Sequence, residues 1–386
     1  MRERIILKKC DCLEGLNELE EQSVDLIYLD PPFYTQKIQT LKDKTGKEYS
    51  FNDKWNSLEE YLEYIKVRLI KMKKVLKDTG SIFFHCDDKA SHYLRQLLDE
   101  VFGQSNFNSE IIWYYKRWSN SKKGLLKGHQ SIFWYSKTKN FKFNIKYLDY
   151  SSTTNLDQIL QERIRNKNGK VEYKKTEEGE IAYCNEKKGV PLSDVWEIPF
   201  LNPKAKERVG YPTQKPILLL EQILEIASDE NDIILDPFCG SGTTLVAGKI
   251  KNRRCIGFDK SIEAIKLTEE RLKNPIKTES KLLKKGKNFY ETKNEKELKI
   301  LEYLNCDIVQ RNKGLDGIVK RKNDKGLIGV KIQKDTETLK EAIESLRAVT
   351  EKKKFSFSIL IKTKPEVEDF KIPEGIKIME TLESII

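Results

Sequence analysis

The 386-residue sequence has no apolar run long enough to cross a bilayer, and its first residues lack the basic, apolar and small-residue succession of a secretion signal. A membrane partner is therefore not expected, and the chain reads as soluble and cytoplasmic. Its seven cysteines are odd in number and show no framework spacing, which points to reduced thiols rather than disulfides. Cys10 and Cys12 stand close together, but no second Cys or His pair follows nearby, so no metal is assigned. What the sequence has in excess is positive charge. The formal net charge is +11 with a pI near 9.0, which suits a polyanionic partner. Between Tyr114 and Gly210, 20 Lys or Arg face 11 Asp or Glu, so most of the excess lies in one quarter of the chain. The length exceeds that of one ordinary core and predicts two domains plus an insertion.

Two stretches carry the chemistry. The apolar run Val24–Leu29 ends in Asp30-Pro31-Pro32-Phe33. Consecutive prolines fix φ and stiffen the backbone beside a carboxylate and an aromatic ring. A carboxylate oxygen of Asp30 and the Pro31 carbonyl can accept both hydrogens of an exocyclic amino group while Phe33 stacks on its ring. By itself the tetrad is equally well read as a strand that two prolines bring to a stop.

The second stretch runs Ile233-Ile234-Leu235-Asp236-Pro237-Phe238-Cys239-Gly240-Ser241-Gly242-Thr243-Thr244. An apolar strand enters a glycine turn and then a helix, predicted over Thr244–Ile250, which is how backbone approaches a ligand at a helix N-terminus. The following strand ends on Asp259, about 20 residues past the glycines, where an acid binds ribose hydroxyls. A nicotinamide dehydrogenase would explain this half equally well; the two halves together narrow the field.

Together these residues resemble the amino-group DNA methyltransferases that use S-adenosylmethionine, in the permuted (beta) class whose Asp-Pro-Pro-aromatic motif precedes the cofactor motif. The resemblance covers roughly residues 1–274 and implies that Asp30, Pro31, Pro32 and Phe33 grip the target amino group. It implies that Asp236, Phe238, Gly240, Gly242 and Thr243 bind the methionine end of the cofactor. Tyr211-Pro212-Thr213-Gln214-Lys215-Pro216 and Cys10-Asp11-Cys12 match two further family segments, which assigns Asp11, Thr213 and Lys215 to the cofactor as well. The implied partner is double-stranded DNA, and a cognate restriction endonuclease and a homodimer are compatible with the resemblance.

The implied fold is a Rossmann-like α/β mixed sheet with helices on both faces, a target-recognition insertion over 137–208 and a small C-terminal α/β domain. Along the chain, a long loop is expected over Tyr34–Ser57, its end (Phe51, Asn52, Asp53, Trp55) resembling the family segment that closes over DNA. An amphipathic helix is predicted over Leu58–Leu76, with a turn at Gly80 and a buried strand over Ser81–His85. His85 and Asp87 read as structural. Lys116, Arg117, Trp118, Lys122 and Lys123 interleave cations with an aromatic and are expected to contact DNA. Glu162–Arg165 is predicted helical and Lys170–Tyr183 a hairpin centred on Glu178-Gly179. Residues 275–295 read as a basic linker.

Residues 296–386 form a separate α/β unit. Gly314-Leu315-Asp316-Gly317 with Gly329-Val330-Lys331 resembles the restriction-endonuclease-like fold. That chemistry needs two carboxylates and a lysine around Mg²⁺. Gly329 stands where the second acid belongs, so this domain is expected not to cleave.

For the reaction, the family pattern associates Asp at the first tetrad position with adenine N6 and Ser with cytosine N4, and adenine N6 is the expected target. Methylation at cytosine carbon 5 would need a thiolate, normally in a Pro-Cys pair, and the sequence contains none. Cytosine N4 methylation, a non-catalytic DNA-binding role, and methylation of RNA or a protein glutamine remain the alternatives.

Overall fold

A computed structural model describes residues 4–42, 46, 48–116, 123–150, 160–183, 189–202, 205–278, 291–319, 327–353, 355–366 and 371–381. The chain divides into two compact units, Met1–Thr278 and Glu279–Ile386.

The first unit is built on an eight-stranded sheet. In spatial order its strands are Ile5–Lys9, Arg254–Asp259, Ile233–Asp236, Val24–Leu29, Leu76–Cys86, His129–Ser136, Phe107–Tyr114 and Val195–Glu197. His129–Ser136 runs antiparallel to both neighbours, and the remaining pairs are parallel. Burial on both faces explains why the central strands read as largely apolar runs. In Val24–Leu29 the alternation sends Ile27 and Leu29 into one core, with Tyr61, Leu69 and Leu94 of the helices Leu58–Val75 and Ser91–Phe102. Leu26 and Tyr28 enter the other core, with Leu220, Leu224 and Val246 of the helices Ile217–Ala227 and Thr243–Ile250.

Strands Val24–Leu29 and Ile233–Asp236 are neighbours although about 200 residues apart in sequence, with Leu26 opposite Ile234 and Ile27 opposite Leu235. From Ile233–Asp236 the chain crosses to Arg254–Asp259 on one side. From Val24–Leu29 it crosses to Leu76–Cys86 on the other. The order reverses between them, and a crevice opens at such a switch point, at the carboxyl ends of the strands.

Three local expectations are corrected. The segment after the tetrad is not an open loop: Lys37–Lys42 and Glu48–Asp53 pair as an antiparallel hairpin. Its base is pinned because Asp53 accepts hydrogen bonds from the Tyr34 and Thr35 amides at 3.0 and 2.9 Å. Gly80 does not end a turn; it lies within the strand Leu76–Cys86. A Cβ there would come within 2.8 Å of the Asp25 carbonyl, so glycine permits the close approach of two strands. Arg163–Arg165 is a strand paired with Val171–Tyr173, not a helix. The turn between them, with Gly169 at φ 74°, supplies a partner strand that overrides local preference. Beyond it, Gly179 is the turn residue of a looser pairing in which Lys175 bridges Ile181.

The expected linker starts later than 275, since Thr278 donates its amide to the Glu207 carboxylate and Lys277 pairs with Glu221. Residues 279–290 lie outside the described residues.

The second unit has a five-stranded sheet in the order Cys306–Ile308, Gly317–Val319, Ile328–Ile332, Phe357–Lys362, Ile376–Glu380, with the helix Leu339–Lys353 packed on it through Leu339, Ile343 and Leu346. Among the described residues no helix is long and apolar enough to cross a membrane.

Candidate functional site

Four loops leave the carboxyl edge of the sheet side by side. Asp30, Asp236, Asp259 and Cys10 stand at or just past the ends of four adjacent strands, and all four line one cleft of about 610 Å³. Tyr211, Thr213 and Lys215 close one wall, and Ser50, Phe51 and Trp55 at the hairpin's end contribute to the lining. Asp30 and Pro32 of the tetrad and Gly240, Ser241 and Thr243 of the glycine turn therefore share a single crevice.

In the tetrad, Asp30 Oδ2 forms an ion pair with Lys215 Nζ, while Oδ1, shielded from solvent, has no hydrogen-bond partner among the described residues. Burial pushes the Asp30 carboxyl up, Lys215 pulls it back, and burial prevails. Beneath lies a buried polar floor. His85 Nδ1 is 3.9 Å from Asp30 Oδ1 and 2.8 Å from the Tyr28 hydroxyl, and His85 Nε2 is 3.1 Å from Gln130 Oε1. Burial, reinforced by Lys215, holds His85 well below its ordinary pKa and thus neutral. The Phe33 ring packs 5.7 Å from the His85 ring, and Lys215 Nζ lies 5.2 Å above it. The Tyr61 hydroxyl donates to the Pro32 carbonyl at 3.0 Å, which fixes the direction of the loop.

The glycine turn is held by carboxylates rather than by its own side chains. Asp259 accepts from the Gly240 amide at 2.9 Å and the Ser261 amide at 2.8 Å; burial nevertheless raises its carboxyl. Asp236 accepts from the Phe238 amide at 3.1 Å. Gly242 caps the helix Thr243–Ile250 in the left-handed region, φ 74°, where a Cβ would run into the Thr268 side chain. Arg271, buried, donates to the Ser241 carbonyl at 2.5 Å and to Thr243 Oγ1 at 3.1 Å. Burial lowers its guanidinium to about 10 against the pull of Glu207.

Residues 24–270 match the family model N6_N4_Mtase, DNA methylase. The chain belongs to this DNA methylase family. Among curated proteins it is 33% identical to the type II methyltransferase M.HpaI of Haemophilus parainfluenzae, over 70% of this chain and 74% of that protein. It is 29% identical to the type II methyltransferase M.HinfI of Haemophilus influenzae, over 69% and 67% of the two chains. Among solved structures, the PvuII DNA methyltransferase (cytosine-N4-specific) aligns with a TM-score of 0.47 at 19% identity, covering 71% of this chain and 90% of that one. The cofactor of the family is S-adenosylmethionine.

With the family in view, the placement of each expected residue is informative. Asp30, Pro32, Thr213, Lys215, Asp236, Phe238, Gly240, Thr243 and Asp259 line the cleft; Pro31, Phe33, Gly242 and Asp11 do not. Asp11 instead caps the helix Cys12–Asn17 with a reciprocal Glu14 bond, and its carboxylate is held by Arg68 at 3.0 Å and Lys260 at 2.7 Å. Burial opposes its ionisation, but these partners and the Leu13 amide outweigh it and keep the carboxyl below its usual range. Lys215 reaches the tetrad rather than an open part of the cleft. Lys116 and Lys123 are exposed, while Arg117, Trp118 and Lys122 lie outside the described residues.

Arg68, Glu207 and Arg271 were missed by sequence reading. Glu207 accepts from the Ile217 amide at 2.7 Å, and so seats the helix that follows Lys215. One signal was available: Arg271 continues the buried stripe Ala264, Ile265, Leu267 and Thr268 of its helix, where an arginine requires a partner.

Asp236 makes the site pH-sensitive. Burial, with lesser repulsion from Asp30 and Asp259, raises its carboxyl to about 7 against the hydrogen bonds from Thr244 and Phe238. A carboxyl raised on folding binds its proton more tightly in the native state. Stability is therefore full below the unfolded pKa and is lost as pH rises toward 7. Asp236→Asn keeps an acceptor for the Phe238 amide and removes the charge. Its thermal midpoint, followed between pH 4 and 8, is expected to fall less with rising pH than that of the parent chain.

Proposed function

We propose that the chain transfers a methyl group from S-adenosylmethionine to the N6 amino group of an adenine flipped out of double-stranded DNA at a specific site. The observation that carries this is the shared cleft, in which a carboxylate with an unsatisfied oxygen stands across from a glycine turn held by Asp259. A cavity of about 610 Å³ is in the range for a ligand of this size. Backbone at Gly240 can approach closely, and the Asp259 carboxylate would accept from ribose hydroxyls. Asp236, Phe238, Gly240, Thr243, Thr213 and Asp259 would hold the cofactor, with Gly242 shaping the turn.

S-adenosylmethionine supplies a methyl group activated on a sulfonium. The protein's own part is to make an aromatic amine nucleophilic. In the free base the nitrogen lone pair is delocalised into the ring. The Asp30 carboxylate and the Pro31 carbonyl, each accepting one N–H, draw that nitrogen toward tetrahedral geometry and localise the pair. Proline at positions 31 and 32 and the Tyr61 hydroxyl keep the acceptors fixed, so little reorganisation is needed during reaction. Extruding the base costs a few kcal/mol, about the worth of one or two stacking contacts, which Phe33 would provide.

The insertion supports a nucleic-acid substrate. On the ribbon Arg163–Arg165 and Val171–Tyr173, cross-strand register places Arg163, Arg165, Val171 and Tyr173 on one exposed face, with the Arg163 guanidinium 5.5 Å above the Tyr173 ring. A two-stranded ribbon of this kind fits the major groove. Residues 137–208 are read as target recognition, with Lys116 and Lys123 contributing phosphate contacts. The second unit is read as non-cleaving. Its Asp316 carboxylate is taken up by Lys293, by Lys334 at 3.2 Å and by the Ile332 amide at 2.7 Å.

Incubating DNA with labelled cofactor and separating the nucleosides tests the reading: the label is expected in N6-methyladenine, and recovery in N4-methylcytosine would overturn the adenine assignment. Methylome sequencing of expressing cells then reports base and context together.

A further inference from the structure

We propose that Lys215 is a placeholder for the target amino group: in the free protein its ammonium occupies the seat that the extruded base must take. The inference rests on the reading of Asp30 as the gripping residue and goes beyond it.

Lys215 was expected at the cofactor. In the structure its ammonium touches both surfaces that a bound base would use, since it pairs with Asp30 Oδ2 and lies 5.2 Å above the Phe33 ring. Its third contact is the Thr213 carbonyl at 3.3 Å. The side chain is buried, with 5% of its surface exposed, so this is no surface ion pair free to exchange with water. An ammonium and an aromatic amine are both N–H donors of similar size. A base stacked on Phe33 with its amino group on Asp30 cannot share that space with Lys215, which must withdraw along the cleft wall. The flexible four-carbon stem permits this.

The same contact sets the charge of the pincer. Lys215, His85, Tyr28, Asp236, Tyr211 and Cys86 are the titratable groups facing Asp30. Of these, only Lys215 is cationic, because burial keeps His85 neutral. Burial raises the Asp30 carboxyl, and Lys215 is what opposes it. A protonated Asp30 would lose acceptor capacity, so the placeholder also delivers the carboxylate ionised to the arriving base. A merely structural pair would hold the Asp30 carboxyl down in the same way, but it would leave extrusion of the base unaffected.

The full chain is compared with Lys215→Met, Lys215→Gln and Lys215→Arg. The probe is a duplex containing the methylated site, with 2-aminopurine beside the target adenine, whose fluorescence rises when the target leaves the stack. Without cofactor, Lys215→Met and Lys215→Gln are expected to raise that signal several-fold over the parent chain. Their single-turnover rates should show the acid limb of the pH profile moved upward by about one unit or more, as loss of an adjacent opposite charge dictates. Lys215→Arg should restore the parent limb. If Lys215→Met fails to fold, Lys215→Gln, which retains a donor to Asp30, carries both readouts. Unchanged fluorescence in the folded variants would overturn the proposal. Absence of methyl transfer by the parent chain would instead overturn the function on which it rests.

Discussion

Asp30→Ala is expected to reduce methyl transfer by roughly a thousand-fold or more while DNA binding persists. Loss of a single preorganised polar group costs two to three orders of magnitude in rate. Here the lost group also carries the charge that localises the nitrogen lone pair. The substitution has a second consequence, because it leaves the Lys215 ammonium buried without its carboxylate. An uncompensated buried charge costs about 3–5 kcal/mol, so the single variant is expected to unfold at lower denaturant. The double variant Asp30→Ala/Lys215→Met removes both charges and is expected to recover much of that stability with no recovery of activity. A filter-binding affinity, a single-turnover rate and a denaturation midpoint on the three proteins separate the effects. Transfer at the parent rate by a folded Asp30→Ala would exclude the tetrad from the chemistry. Parent-like DNA binding without transfer by the parent chain itself would favour the non-catalytic alternative.

The second large effect is expected at Gly242, a residue outside the cleft lining. Gly242→Val places a β-branched side chain at φ 74°, a left-handed conformation that costs about 1–2 kcal/mol for an L-residue. Its Cβ also meets Thr268 Cγ2 and Oγ1, an overpacking worth about 1–3 kcal/mol. The turn must shift, and with it the Gly240 amide that Asp259 holds at 2.9 Å. Binding of S-adenosylmethionine by calorimetry is expected to become undetectable while the tetrad strand stays in place. Adding Thr268→Ala removes the collision but not the backbone strain, so it should recover stability only in part. Full recovery of cofactor binding by the double variant would show that the left-handed conformation is not what the turn requires.

Much of the fold was legible because its signals are local. Largely apolar strands such as Val24–Leu29, the 3.6-residue period of the 18-residue helix Leu58–Val75 and the glycines after Asp236 each state their structure over a short stretch of sequence. The failures share a cause as well. The hairpin Lys37–Asp53 is held by the Asp53 carboxylate reaching back to Tyr34 and Thr35, 18 or 19 residues away, and no local pattern announces that contact. Arg163–Arg165 became a strand through its partner across a turn. Nor does any local pattern announce that the Asp11 carboxylate is bonded by Arg68, 57 residues later.

The sequence by itself determined the chemistry on offer: a proline-stiffened acid, a glycine turn, an acid after the next strand, and a basic insertion. These are properties of residue type and short spacing, which survive without knowledge of what lies across the fold. Only the tertiary structure decided that Asp30 and the glycine turn open into one cleft, since that depends on two strands some 200 residues apart lying side by side at the point where the sheet reverses direction. It also decided that the Lys215 ammonium, 185 residues from Asp30, sits on that carboxylate. Burial and charge pairing are set by neighbours in space, and a buried carboxylate cannot be assigned its partner until the chain has folded around it.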